Sequence, residues 1–139
     1  VGVVFDVRGY PTDSGMAILR HLIDEAESDR WMHVAKIVGP FYEIAGWKDY
    51  GWDLQPAEPQ FSGTIVFLTD GRAISYAESV MGYVADRRLG TIVGGPTAGT
   101  NGNVAYFVTP GGFGVRFTGM RVTHHDGTSP FHLAGAVCS

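Results

Sequence analysis

Apolar residues follow two rhythms along this chain, and the change between them divides it. Val1–Val7 (VGVVFDV) and Gly63–Asp70 (GTIVFLTD) are short, nearly continuous apolar runs, the pattern of strands buried on both faces. Thr91–Gly94 (TIVG) is a shorter run of the same kind. Gly9 and Pro11 end the first run, and Thr12, Asp13 and Ser14 then offer capping side chains. Ile18, Leu19, Leu22, Ile23 and Ala26 follow at helical spacing, while Arg20, His21, Asp24 and Glu25 form a wet face. A second helix is predicted over 75–88, with Ile74, Ala77, Val80, Met81 and Val84 on its apolar side. Strand, helix, strand, helix, strand implies right-handed crossovers and a parallel sheet covered by helices.

Beyond residue 100 the rhythm shortens. Val104–Val108, Gly114–Thr118 and Met120–Thr123 read as brief strands separated by Pro110-Gly111-Gly112 and by Gly119. His125-Asp126-Gly127 closes the last of them, so the tail is expected to be antiparallel. The stretch from Trp31 to Ser62 shows neither rhythm. It holds all three tryptophans (Trp31, Trp47, Trp52) with Tyr42 and Tyr50, and predicts one strand at His33–Val38. The remainder reads as a loop pinned to the core by its rings, or as aromatics lining a substrate groove.

At 139 residues the chain makes one domain that can bury roughly 68–70% of its unfolded surface. A hydrophobic content of 45% with 17% charge excludes disorder. The net charge of −4, without a run of Lys or Arg, argues against nucleic acid as a partner. No apolar stretch reaches the length of a membrane span. Cys138 is the single cysteine, so no internal disulfide can form. The chain opens and closes in strand-like runs, which predicts a domain taken from a longer protein, with part of its site elsewhere in that protein.

The candidate chemistry sits in 71–100 (GRAISYAESVMGYVADRRLGTIVGGPTAGT). Ser75 stands at a helix start, where unpaired backbone N–H groups and the helix dipole favour a developing oxyanion. The Tyr76 amide, next in the chain, is a natural donor to it. The same serine with Glu78 three residues on matches a capping box. It is not a G-x-S-x-G elbow, because Ala73 and Ala77 stand where glycines would be. Three other constellations carry less. His124-His125-Asp126 lacks ligand spacing and reads as a turn. Asp6 and Arg8 read as a structural ion pair. The 94–100 stretch lacks the Lys-Ser/Thr ending of a phosphate loop and reads as a glycine turn lying close to a peptide.

Three motifs, in order, then carry a resemblance. Val4-Phe5-Asp6-Val7-Arg8-Gly9-Tyr10-Pro11 is similar to a strand ending in Asp-Leu-Arg-Gly-Asn-Pro. Residues 71–78 (GRAISYAE) resemble Gly-Thr-Ala-Ser-Ala-Ser-Glu, and 90–99 (GTIVGGPTAG) resemble Ala-x-Val-Gly-Glu-Pro-Thr-x-Gly. Together, from Val3 to Val137, they resemble the core of the C-terminal-processing (tail-specific) serine peptidases, closer to the branch of tricorn protease and the retinoid-binding modules of photoreceptors. The resemblance implies an α/β domain of the ClpP/crotonase type, mostly a parallel sheet with helices plus short antiparallel strands. It implies Ser75 as nucleophile, Tyr76 N–H as one oxyanion donor, and an amide near Pro11, Thr12 and Asp13 as the second; proline has no N–H, so Thr12 or Asp13 would donate. It implies a polypeptide substrate, no cofactor and an extracytoplasmic setting.

The departures are specific. The lysine-dependent branch has its base 25 residues after the serine, where this chain has Thr100. The tricorn-like branch draws a histidine from a segment upstream of the first strand, which the longer protein would supply. That branch also has a glutamate near its closing glycine, where this chain has His132. His132 is thus a polar partner or base for Ser75, or a structural histidine in a turn. Two other activities fit the same fold: a non-catalytic module binding apolar ligands or peptides, and a crotonase-like acyl-CoA enzyme.

Overall fold

The computed structural model describes residues 1–12 and 14–128. Ten elements follow in chain order: β1 (Gly2–Asp6), α1 (Ser14–Leu19), β2 (Met32–Val38), β3 (Glu43–Tyr50), β4 (Thr64–Thr69), α2 (Tyr76–Arg87), β5 (Thr91–Gly94), β6 (Val104–Val108), β7 (Gly114–Thr118) and β8 (Arg121–Val122). The three apolar runs pair as the parallel sheet β1-β4-β5, with Phe5 opposite Phe67 and Phe67 opposite Ile92. One face of this sheet carries Phe5, Phe67 and Ile92, and the rings of Phe5 and Phe67 stack at 5.2 Å. The other face is not buried as the apolar runs predict. Val4 is 60% and Val93 46% exposed, so β1 alternates between wet and dry positions.

Helix α2 links the parallel sheet to an antiparallel one. Eight successive residues, Ala77 to Val84, are buried, which covers the helix on every side for two turns rather than on one apolar stripe. Its Met81, Tyr83 and Val84 share one core with Phe67 and Ile92 of the parallel sheet and with Trp31, Met120 and Val122 beside the antiparallel sheet. The helix stops where Arg88 turns left-handed (φ 53°, ψ 44°), a C-terminal geometry more often given to glycine. Arg87 in the last turn reaches the carboxylates of Glu27 and, at 2.6 Å, Asp29.

Two regions depart from the sequence pattern. The first helix was expected to run on to Ala26 but is only six residues long. The carbonyls of Arg20 and His21, which would serve residues 24 and 25, instead accept the amides of Ala57 (2.8 Å) and Phe61 (2.9 Å). The returning chain thus takes the bonds that helix extension needs. Ile23 stays in the core regardless.

The stretch from Trp31 to Ser62 is not a loop with one strand. β2 and β3 form an antiparallel hairpin, with Met32 opposite Tyr50 and Val38 opposite Glu43. Its register slips between Lys36 and Ile37, which face Gly46 and Ile44 and leave Ala45 over as a bulge. β8 joins the other edge of β2, so Arg121 and Val122 leave the expected tail hairpin for the order β3-β2-β8. β6 and β7 pair as the two-stranded antiparallel unit the turn residues predict. Among the described residues no helix is long and apolar enough to cross a membrane.

Candidate active site

Residues 70–75 carry the chain from the end of β4 to the start of α2 through one tight turn. Asp70 closes it, accepting from the Arg72 amide at 2.9 Å and from its guanidinium at 2.8 Å. The Asp6–Arg8 pair expected at the end of β1 forms the same way on the neighbouring strand, amide at 3.0 Å and guanidinium at 2.7 Å. Both pairs are exposed, and each arginine holds its aspartate below the usual carboxylate range. They act as local clasps on two adjacent strand ends.

Ser75 emerges from this turn at φ 53° and ψ −113°, a backbone conformation that L residues other than glycine rarely adopt. A serine at a strained strand-to-helix turn is the geometry of a nucleophile elbow, reached here without the glycines of the usual pattern. Ala73 and Ala77 occupy the glycine positions, and both are fully buried. The sequence, with alanines at both glycine positions, does not announce this backbone conformation.

Both contacts of the capping box are in place, but only one of them is a hydrogen bond. Ser75 N–H donates to Glu78 Oε2 at 3.1 Å. The Ser75 hydroxyl faces the Glu78 amide but makes no capping hydrogen bond; that amide is bonded to the Ser75 carbonyl at 2.9 Å. Glu78 is doing something larger than capping. Its side chain, 1% exposed, also accepts from the Thr97 hydroxyl (2.8 Å) and the Gly99 amide (2.6 Å) on Oε1. On Oε2 it accepts from the amide (2.8 Å) and hydroxyl (3.3 Å) of Thr100. A buried carboxylate is tolerated only when its oxygens are fully hydrogen-bonded, and this one is.

The effect is to clamp the glycine-rich turn against the start of α2. Gly94 opens that turn at φ 125°, where a side chain would collide with the Thr69 carbonyl, and Gly99 turns at φ 73° to aim its amide at Glu78. Thr100, at the position of the lysine base in one branch of the resembled family, is committed to Glu78. The two lysines, Lys36 and Lys48, lie exposed on the β2–β3 hairpin.

Ser75 opens into a cavity of about 520 Å³, which Tyr10, Pro11, Met16, Trp52, Tyr76 and Asn101 help to line. Tyr76 contributes twice. Its amide begins α2 without a helical acceptor. Its hydroxyl accepts from the Met16 amide at 2.9 Å, and its ring lies 5.6 Å from that of Trp52, so one side chain fixes α1 and the aromatic segment around the serine. Thr12 follows the cavity-lining Pro11, but its carbonyl receives the Gly15 amide (3.3 Å) and its hydroxyl meets Ser14 (3.1 Å). Asp13 and His132 lie outside the described residues. Ser79, one turn after Ser75, donates to Asn101 Oδ1 at 3.2 Å, a pairing the sequence did not announce.

The three tryptophans separate. Trp52 lines the cavity, Trp31 is core at 2% exposure, and Trp47 is 40% exposed on the hairpin. The histidines within the described residues are engaged elsewhere. His21 meets the Pro59 carbonyl (3.0 Å), His33 meets Asp49 (2.7 Å) and His124 meets Asp86 (2.8 Å). His125 stacks on Trp31 at 5.0 Å, and burial lowers its pKa. The two adjacent histidines thus have different partners. His125 comes near Glu27 and Asp29, but Arg87 already supplies a cation to both carboxylates.

With this geometry in view, the family model of peptidase family S41 matches residues 2–136. The chain belongs to peptidase family S41. No curated protein matches it. Among solved structures it is similar to a putative peptidase from Parabacteroides merdae (18% identity, TM-score 0.70, covering 94% of this chain and 44% of that one). It is similar to the photosystem II D1 C-terminal processing protease (20% identity, TM-score 0.63, covering 99% and 33%). It also resembles mature CPAF complexed with lactacystin (15% identity, TM-score 0.73, covering 99% and 38%). At these identities the likeness shows the fold, a mixed α/β one with a parallel sheet and antiparallel strands. The chain spans between a third and under a half of the length of each.

Proposed function

We propose that this S41 domain hydrolyses peptide bonds through an acyl-enzyme on Ser75. The observation that carries the reading is the serine itself: strained backbone, hydroxyl without a capping bond, set at the head of a twelve-residue helix and open to a cavity. In this reading Ser75 Oγ attacks the substrate carbonyl and gives its proton to a base. The Tyr76 amide, with a second amide near Thr12, holds the oxyanion. Collapse breaks the C–N bond, the amine leaves with a proton, and water then releases the acyl group from Oγ.

The base comes from beyond the described residues. No lysine or histidine among those lines the cavity. His132, or a histidine from another part of the parent protein, fills the role. No cofactor is required. With a base from elsewhere in a longer protein the 139-residue chain alone is inactive; with His132 as base the chain is sufficient.

Fluorophosphonate labelling tests this directly. The parent protein should label, and both Ser75→Ala and Ser75→Asn should abolish the label with circular dichroism unchanged. A parent that folds yet never labels defeats the reading. Proteolysis by the 139-residue chain, lost on Ser75→Ala, would place the base inside it and point to His132.

A further inference from the structure

The cavity at Ser75 is one end of a longer trough. A second cavity of about 440 Å³ adjoins it, shares Met32, Asn103 and Met120, and runs on between Val34 of β2 and Val104 and Ala105 of β6. Beside the serine the wall is apolar, formed by Met16, Trp52, Tyr76 and Met120; the polar groups are Ser79, Asn101 and Asn103. Among the described residues none that lines either cavity carries a formal charge, in a chain with 10 basic and 14 acidic side chains.

Resting on the reading of Ser75 as nucleophile, we propose that this trough selects an extended polypeptide with a large apolar side chain beside the scissile bond and excludes charged side chains there and two residues away. Three physical points lead to it. A carboxylate or ammonium entering the trough would lose water and find no counter-charge among the described lining residues, so charged segments are disfavoured. A cavity of about 520 Å³ is poorly filled by a methyl, whereas Leu, Met or Phe buries enough apolar surface to bind. An extended peptide turns alternate side chains to one side, so the residue two positions on enters the second cavity. Met32 and Met120 stand at the junction, and methionine adapts its shape to several apolar partners. Selection is therefore by size and charge rather than by one side-chain outline.

Binding of acetylated, amidated hexa-alanine peptides carrying one substitution tests this, with the Ser75→Ala chain as receptor so that nothing turns over. Leu, Met and Phe peptides should bind within about fivefold of one another. They should bind at least about tenfold more tightly than the all-Ala, Asp or Lys peptides by calorimetry. A second apolar residue two positions away should tighten binding again, and one at the adjacent position should not. Equal binding of the Asp or Lys peptide overturns the proposal. A swap keeps the test independent of any one peptide: Met32→Lys, half-exposed and able to snorkel, should raise Asp-peptide binding relative to Leu at least about tenfold. An unchanged ranking counts against the trough. Labelling of Ser75 without apolar selectivity defeats this proposal alone; apolar selectivity without labelling upholds the trough and defeats the nucleophile.

Discussion

The start of α2 and the β2–β3 hairpin reverse the usual assignment of polar and apolar groups. Around Ser75 the buried group is a carboxylate: Glu78 is 1% exposed and accepts from Ser75, Thr97, Gly99 and Thr100. In the hairpin the exposed groups are rings: Phe41 and Tyr42 are 80% and 81% exposed at its turn. The first region is held by directional bonds that fix one geometry. The hairpin is held by its strand ladder, with little side-chain burial beyond Val34. A site that must present one hydroxyl in one strained conformation benefits from the first kind of support, since strain persists only where neighbours over-determine it. If that contrast is right, substitutions in the two regions should differ several-fold in cost.

The largest effect is expected at Glu78. Glu78→Ala strips the acceptor from five backbone or hydroxyl donors in a buried place, and should destabilise the fold by about 3–5 kcal/mol in urea denaturation. Glu78→Gln, retaining one carbonyl oxygen but turning an NH₂ toward donors, should recover only part of this. A loss under about 1 kcal/mol in Glu78→Ala would mean the clamp contributes no more than an ordinary cap.

The next effect is titratable and lies at the far end of the same helix. His125 is buried against Trp31 and Tyr83, and burial lowers its pKa; Arg87 and His124 push it the same way, while Asp86 and Asp29 oppose. Below its unfolded pKa, near 6.5, the unfolded chain binds a proton that the folded chain does not. Stability should therefore fall as pH drops from about 6.5 toward the lower folded value, by at most about 1.4 kcal/mol per unit. His125→Phe, which keeps the stacking, should flatten this part of the melting-temperature profile. The exposed carboxylates Asp6, Asp70 and Asp126 have lowered pKa values, so what they contribute is lost in a separate window below about pH 4.

How much of this was readable follows from where each element's partners lie in sequence. The parallel sheet was legible because β1, β4 and β5 are apolar runs whose signal is local. Ser75 was legible as a position, from its place before an apolar helix. The role of Glu78 was not, because its partners Thr97 to Thr100 lie 19 to 22 residues away and no short-range rule joins them. α1 looked longer because the bonds that end it come from Ala57 and Phe61. β3 escaped because alternation is a signature of one-sided burial, and its residues are exposed on both faces apart from Gly46. The positive φ at Ser75 was hidden because Ala73 and Ala77 flank it rather than glycines.

Smaller, and opposite in sign, is the effect expected at Ser75 itself. A glycine there adopts φ 53°, ψ −113° without steric cost, and no capping bond from the hydroxyl is lost. Ser75→Gly should leave stability unchanged or raise it by up to about 1 kcal/mol, while Ser75→Ala, which keeps the strain, should not gain. A clear destabilisation by glycine would show that the hydroxyl supports the fold.

The smallest effect belongs to the hairpin. Phe41→Ser removes a ring that is four-fifths in water, so its loss exposes little that was buried, and the melting temperature should correspond to a change within about 0.5 kcal/mol. Ile44→Ser, 54% exposed and next to the bulge, should behave alike. The two substitutions are also a test of what the rings are for. If Phe41→Ser leaves stability untouched but changes how the parent protein behaves in peptide hydrolysis, the exposed turn is a surface used in the assembled protein. If it costs about 2 kcal/mol or more in the chain itself, the hairpin is packed in solution and the contrast with the Glu78 region collapses.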